Sequence, residues 1–277
     1  MAWGFIGFSS VSVTIAVLYM MGFLDKYCIF GGGRLVLFYE NANAYSTRMV
    51  ISMFFIAYLV ANNPLRWGKY RFILLIAEFP LLYIVLASGS RGSLIFMLVG
   101  FLVYLSYLPM RRIAHKIALI TVISLAGVGG VTYILNNNQD FGIMERMSRS
   151  IENGDDAGRS TLSAATLQIW SENPVFGVGA VDFSQQMFWR FRLTRTVHSV
   201  YWYTLVTTGI CGLLALIFFL VILGREVFRV RHKDPMPLTL YVIMILLASK
   251  TGGALAYIIM WYVFAISATL SMRCLKK

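Results

Sequence analysis

Six solid apolar runs, at residues 3–23, 44–61, 72–87, 93–108, 117–135 and 199–223, dominate the sequence and hold almost no charge. A helix needs roughly 20 apolar residues to cross the hydrocarbon core of a bilayer. These runs are apolar on every face, without the alternation of a membrane β-barrel strand, so they predict an all-α, polytopic transmembrane bundle. A further stretch, 238–271, is interrupted by Ser249-Lys250-Thr251-Gly252-Gly253. It reads as a hairpin of two short spans, which brings the total to about eight. Only 13% of the 277 residues are charged and the mean hydropathy is +0.72, against about 25% charge in a soluble chain. A soluble enzyme, a secreted disulfide scaffold and a disordered chain are all excluded. The first run has neither a basic leader nor a small-residue cleavage signature, so it is expected to stay as span one.

Placement of charge sets the orientation, because loops rich in Lys and Arg stay cytoplasmic. Arg66, Lys69 and Arg71 share one loop, Arg111, Arg112 and Lys116 the next but one, and Arg225, Arg229, Arg231 and Lys233 another; Arg273, Lys276 and Lys277 close the chain. With eight spans these loops fall on one face, and both termini are cytoplasmic. The division is then spans one to five in 1–135, an outer segment in 136–198, and spans with a tail in 199–277. That outer segment exceeds an ordinary connection, and loops of such length tend to be functional or disordered. Asp155-Asp156-Ala157-Gly158-Arg159-Ser160 supplies helix-start residues, Leu162, Ala165, Ile169 and Trp170 recur at helical spacing, and Asn173-Pro174 stops the run. An amphipathic helix near the membrane surface is expected there.

Eleven of the 24 basic residues lie on the outer face, where orientation does not need them, and nine of the eleven are arginine. Guanidinium forks bind phosphate bidentately, so an anionic substrate such as a lipid diphosphate is one reading. Pairing with the nine acids of the same face is the other. Two groups escape the pairing reading best: Arg190-Phe191-Arg192 with Arg195, where no acid of that face follows Asp182, and Arg91 in the tight turn Ser88-Gly89-Ser90-Arg91-Gly92. Ser90 or Ser93 can cap the helix that follows this turn, whose N-terminus favours an anion. With flanking spans of about sixteen residues, the turn is expected below the membrane surface. His198, three residues after Arg195, is placed to take a proton from a sugar hydroxyl, or is polar trim at the interface. Gly177 and Gly179 let the loop after Asn173-Pro174 turn sharply and dip toward the membrane. Glu78, inside a span and followed by Pro80, is either functional or part of a kink. Cys28, Cys211 and Cys274 have no pair or metal spacing, and no metal or cofactor is expected.

Taken in order, the Ser88-Gly89-Ser90-Arg91-Gly92 turn, Gly158-Arg159 leading into Glu172-Asn173-Pro174-Val175-Phe176-Gly177-Val178-Gly179, and His198 before an aromatic span ending Gly209-Ile210-Cys211-Gly212 resemble the bacterial O-antigen ligase and polymerase family. Glu40-Asn41-Ala42-Asn43-Ala44 is similar to that family's weaker asparagine motif. The resemblance implies an inner-membrane glycosyltransferase acting on the periplasmic face. Its donor would be an undecaprenyl-diphosphate-linked glycan, and its acceptor a glycan or a lipid A core sugar. Arg91 and Arg159 would engage the diphosphate, and His198 would orient or deprotonate the acceptor hydroxyl. Arg34, Asn43, Gly177, Gly179, Arg192 and Arg195 are the further candidate binding residues. Membrane lipid and a chain-length regulator are the other expected partners, and nucleic acid is not one. Polymerase is the leading reading and ligase the alternative; a lipid-linked glycan transporter and a non-catalytic homologue are readings of other classes.

Overall fold

The computed structural model describes residues 2–30, 34–38, 41–109, 113, 117, 120–121, 159–194, 197–250 and 258–276. The chain divides into two compact units, Met1–Arg149 and Ser150–Lys277. Among the described residues, five helices are long and apolar enough to cross a membrane, and two shorter apolar ones accompany them. These are seven of the eight expected spans. The other, at 117–135, lies outside the described residues except for 117 and 120–121, as do 136–158 with the expected helix start at Asp155-Asp156.

In the first unit, α1 (Ala2–Met20) leads to a small antiparallel hairpin of β1 (Cys28–Phe30) and β2 (Leu35–Leu37). Helix α2 (Ala42–Asn62) is the centre of this unit: 83% of its most apolar stretch is buried, against 22% for α1. Lipid supplies no hydrophobic drive between helices, so aromatic packing and small polar contacts hold them. Phe5 stacks on Phe55 at 4.3 Å between ring centroids, and Phe54 meets Phe101 at 4.6 Å. The Ser52 hydroxyl donates to that of Ser12 at 2.8 Å across the α1–α2 contact.

Span three differs from a plain helix. It runs as a 3₁₀ helix over Gly68–Ala77 and becomes α-helical only in α3 (Glu78–Ala87). Pro80 has no N–H for the carbonyl four residues earlier, which favours a change of helix type nearby, and ten residues is a long run for this tighter winding. Its greater rise lengthens the span to about 35 Å. The short-span reason for a sunken Ser88–Gly92 turn therefore fails on this side of the turn, while the helix that follows it, with 17 residues, is short as expected. Glu78, at the junction, is 1% exposed, and its carboxylate oxygens have no hydrogen-bond partner among the described residues. After the turn comes α4 (Arg91–Tyr107).

The second unit begins with the expected amphipathic helix, α5 (Arg159–Glu172). Leu162, Ala165 and Ile169 are buried as their spacing predicts, and they form one apolar cluster with Phe183, Met187, Val197 and Val206. Phe183 and Met187 belong to α6 (Ala180–Phe191), a second helix of this segment beyond the one expected from the sequence. Helix α7 (Val200–Val230) extends past the expected end at residue 223, with Glu226 and Arg229 paired at 2.8 Å on the added turns. It is broken at Gly209, whose φ of 68° and ψ of −168° are not helical. The hairpin reading of the last stretch is matched by α8 (Met236–Lys250) and α9 (Ile258–Leu275). Tyr241 of α8 donates its hydroxyl to the Leu220 carbonyl of α7 at 2.7 Å, in space left by Gly224.

Candidate functional site

The described candidate residues fall in two regions, a serine-rich turn in the first unit and a loop docked on a broken helix in the second. In the first, Ser90 is the N-cap of α4: its hydroxyl accepts from the Ser93 amide at 3.3 Å. The Ser90 and Ser93 hydroxyls lie 3.0 Å apart, and Ser93 is 2.6 Å from Ser46 on α2. Ser46 and Thr47 donate in turn to the Asn43 carbonyl at 3.2 and 2.7 Å. The Ser88 hydroxyl donates to the Val85 carbonyl and accepts from the Ser90 amide. Ser88, Ser90 and Ser93 are all at least 98% buried.

Arg34 closes this cluster. The β1–β2 hairpin brings it to the turn, where its Nε donates to the Ser88 carbonyl at 3.2 Å and an Nη to the Asn43 side-chain oxygen at 2.6 Å. The turn is covered by protein, and Arg34 and Asn43, expected as separate binding residues, are partners of one another. Arg91 opens α4 and is half-buried. The cluster thus sets a guanidinium beside a capped helix start, a pairing suited to an anion. Ser46 and Thr47 escaped the sequence reading, whereas Ser88 entered it only as part of the turn. The first two follow Asn43 at helical spacing, which would have marked them as its neighbours.

In the second unit the motif Glu172 to Gly179 forms a loop laid against the break in α7. A regular helix would pair the Ile210 amide with the Val206 carbonyl and the Cys211 amide with Thr207. Here the loop takes both pairs apart. Val178 and Gly179 donate to the carbonyls of Val206 and Thr207 at 2.9 and 3.0 Å, while Ile210 and Cys211 donate to those of Pro174 and Val175 at 2.9 and 3.3 Å. Trp170 adds its Nε1–H to the Pro174 carbonyl at 3.1 Å. Gly177, with φ of 70°, leaves a position where a Cβ would fall 2.6 Å from the backbone of Thr207 to Gly209; at Gly209 a Cβ would fall on the Val175 carbonyl. Gly177 is therefore given to packing in this structure rather than to an open binding surface. Gly179, with φ of 80° and open space around its Cα, is the N-cap of α6.

Arg159 opens α5, and His198 precedes Ser199, the N-cap position of α7, half-buried between Val197 and Val200, which are 2% and 1% exposed. The Arg159 side chain and Arg195 lie outside the described residues. The expectation that the Arg190–Arg192 group escapes pairing with an acid is corrected at Arg190. Arg190 binds Glu172 through both guanidinium nitrogens, at 2.6 and 2.8 Å, because the fold brings α5 and α6 together across eighteen residues. That hydrogen-bonded guanidinium holds the Glu172 carboxyl below the usual carboxylate range. Arg192 ends α6 in a left-handed conformation with its guanidinium 6.0 Å from the Trp189 ring. No cluster of three metal-ligating side chains occurs among the described residues. Burial, helped by Asp25, pushes the Cys28 thiol up to about 11, so at neutral pH it is a protonated donor to the Leu24 carbonyl.

Fold and clusters together define a polytopic helical membrane protein. It carries a serine-lined arginine turn in one unit and, in the other, a pair of short helices docked onto a broken span. The O-antigen ligase family model matches residues 73–217, just over half of the chain, and the protein belongs to that family. The match takes in the Ser88–Gly92 turn, α5, the docked loop, His198 and the Gly209 break, and leaves Arg34 and Asn43 outside it. No curated protein matches the chain.

Proposed function

We propose that the protein is an inner-membrane glycosyltransferase that polymerises undecaprenyl-diphosphate-linked repeat units on the periplasmic face, with both termini cytoplasmic and residues 136–198 as its periplasmic segment. The observation that carries this reading is the arginine turn: Arg34 is fixed by Ser88 and Asn43 beside the capped start of α4 that Arg91 opens. In this mechanism Arg91 and Arg159 neutralise the diphosphate. His198 takes the proton of the acceptor hydroxyl as its oxygen attacks the anomeric carbon. The bond from that carbon to the diphosphate oxygen breaks, its electron pair leaves with undecaprenyl diphosphate, and the configuration inverts. A diphosphate leaves readily, so positioning and charge stabilisation supply most of the rate, and the scheme uses no metal.

A second reading, transfer of the glycan to a lipid A core sugar, is favoured by the description of the matched family as O-antigen ligase. Purified protein given lipid-linked repeat units alone separates the two. Longer lipid-linked glycan is expected from the wild type, with about a hundredfold loss or more in His198→Ala and a comparable loss in Arg159→Ala. Product only when lipid A core is added selects the ligase. No product under either condition refutes glycosyl transfer.

A further inference from the structure

The helix pair of the second unit leaves large apolar side chains uncovered. Phe176 is 79% exposed, Val181 70% and Trp189 66%, and Val175 and Phe188 are exposed as well. Single exposed apolar residues are ordinary, but a group of this size marks an interaction surface. Helix α6 has two faces: Phe183 and Met187 enter the buried cluster, while Val181, Phe188 and Trp189, spaced seven and eight residues apart, lie on the other side.

The height of this surface follows from α7. The loop tip is hydrogen-bonded at the level of residues 206–211. Gly209 precedes Arg225, the first charge toward the other end of the helix, by sixteen residues, about 24 Å of helix. The hydrocarbon core is about 30 Å thick. The tip therefore docks within the far edge of the core, where an exposed Phe176 meets lipid. Irregular backbone at that depth is tolerated because α7 satisfies it. Helix α6 starts directly after the docked loop, so Val181 stays close to the same level. Phe188 packs edge-on against Trp189 at 5.1 Å, and Arg192 sits over Trp189. Aromatic rings at headgroup level beside a snorkelling cation are the composition of an interfacial helix.

We propose that the loop tip at Phe176 and the outward face of α6 form a monotopic anchor that lies in the phospholipid leaflet and fixes the height of α5, which packs on the other face of α6. The partner is the bilayer itself. This inference rests on the depth of the Gly209 break and stands whether or not the protein transfers glycans.

The test uses the full chain in nanodiscs of phosphatidylethanolamine and phosphatidylglycerol. Spin labels are placed at Phe176→Cys, Val181→Cys and, as a water-facing control, Gln168→Cys, with the three native cysteines replaced. At 176 and 181 oxygen is expected to relax the label several-fold more than an aqueous nickel chelate does, with the order reversed at 168. Brominated phospholipid is expected to quench native tryptophan fluorescence, with part of the quenching lost in Trp189→Phe. The fluorescence arm needs no cysteine and decides the case in which a labelled variant misfolds. Nickel access at 176 and 181 overturns the proposal. So does protection from both reagents, which would mean a protein cover such as a second copy, or protection that arises only when glycan acceptor is added. Quenching that is unchanged in Trp189→Phe removes α6 from the anchor.

Discussion

Replacing Gly209 by alanine separates a broken helix from a continuous one. The native φ and ψ of 68° and −168° belong to a region nearly exclusive to glycine, where another residue costs about 1–3 kcal/mol. The added Cβ would also fall on the Val175 carbonyl, which is backbone and cannot swing aside. Closing the helix restores two intrahelical bonds and gives up the four loop bonds of Val178, Gly179, Ile210 and Cys211. At a net 0.5–1.5 kcal/mol each, the lost pair amounts to about 1–3 kcal/mol, partly offset by the roughly 1 kcal/mol by which alanine is the better helix former. Gly209→Ala is therefore expected to release the loop without unfolding α7. Hydrogen exchange in nanodiscs reads this directly. Val178 and Gly179 should lose protection about tenfold or more, since 1.4 kcal/mol is a factor of ten, while Ile210 and Cys211, re-paired within the helix, keep theirs. Unchanged protection at Val178 and Gly179, or equal loss at all four amides, would refute the reasoning. Gly7→Ala, where a Cβ meets nothing within 4 Å, is the neutral control.

Arg34→Ala should loosen the Ser88–Gly92 turn by about 1.5–3 kcal/mol per charged hydrogen bond lost, seen as faster exchange at Ser90 and Ser93; unaltered exchange would deny Arg34 its clamping role. The Glu172–Arg190 pair has a pH signature. The folded carboxyl titrates below its unfolded value of about 4.3, so its contribution is present above that pH and fades as pH falls through the lower folded value. Arg190→Gln should flatten the acid limb of a stability–pH curve, and a curve identical to wild type would show that the exposed pair contributes nothing. Alkylation of Cys28 should be slow at pH 8 and quicken about tenfold per pH unit toward pH 11, following its thiolate fraction; fast labelling at pH 7 would contradict the protonated, half-buried thiol.

The spans were legible because lipid leaves the backbone few choices, and a run of apolar residues at bilayer length has one outcome. The buried face of α5 was legible too, since Leu162, Ala165 and Ile169 repeat at the helical period. The β1–β2 hairpin was missed although Gly31-Gly32-Gly33 stands between Cys28-Ile29-Phe30 and Leu35-Val36-Leu37, a usable hairpin signal overshadowed by the helical context. Gly209 gave no warning, because glycine is common in membrane helices and its role here depends on a loop thirty residues earlier. The same holds for Arg190: its partner Glu172 is a product of how α5 and α6 pack, which local spacing does not encode. In the arginine turn, Ser90, Arg91 and the helix start could be read locally, whereas the link to Arg34 and Asn43 is tertiary.

The exchange of partners at Gly209 also imposes an order on biogenesis. Residues 174–179 are synthesised before α7, so they emerge while the segment they will open does not yet exist. Helix α7, the sixth span, can enter the bilayer as an uninterrupted helix with every peptide group paired, the form that insertion favours. Only afterwards can the waiting loop return, prise apart the pairs at Val206 and Thr207, and claim their carbonyls. A chain whose segment 159–179 fails to fold would thus still insert, would retain a plain seventh helix, and would lack the seat that sets α5 and α6 in place. Maturation after insertion, more than insertion itself, is the step at which such variants would be arrested.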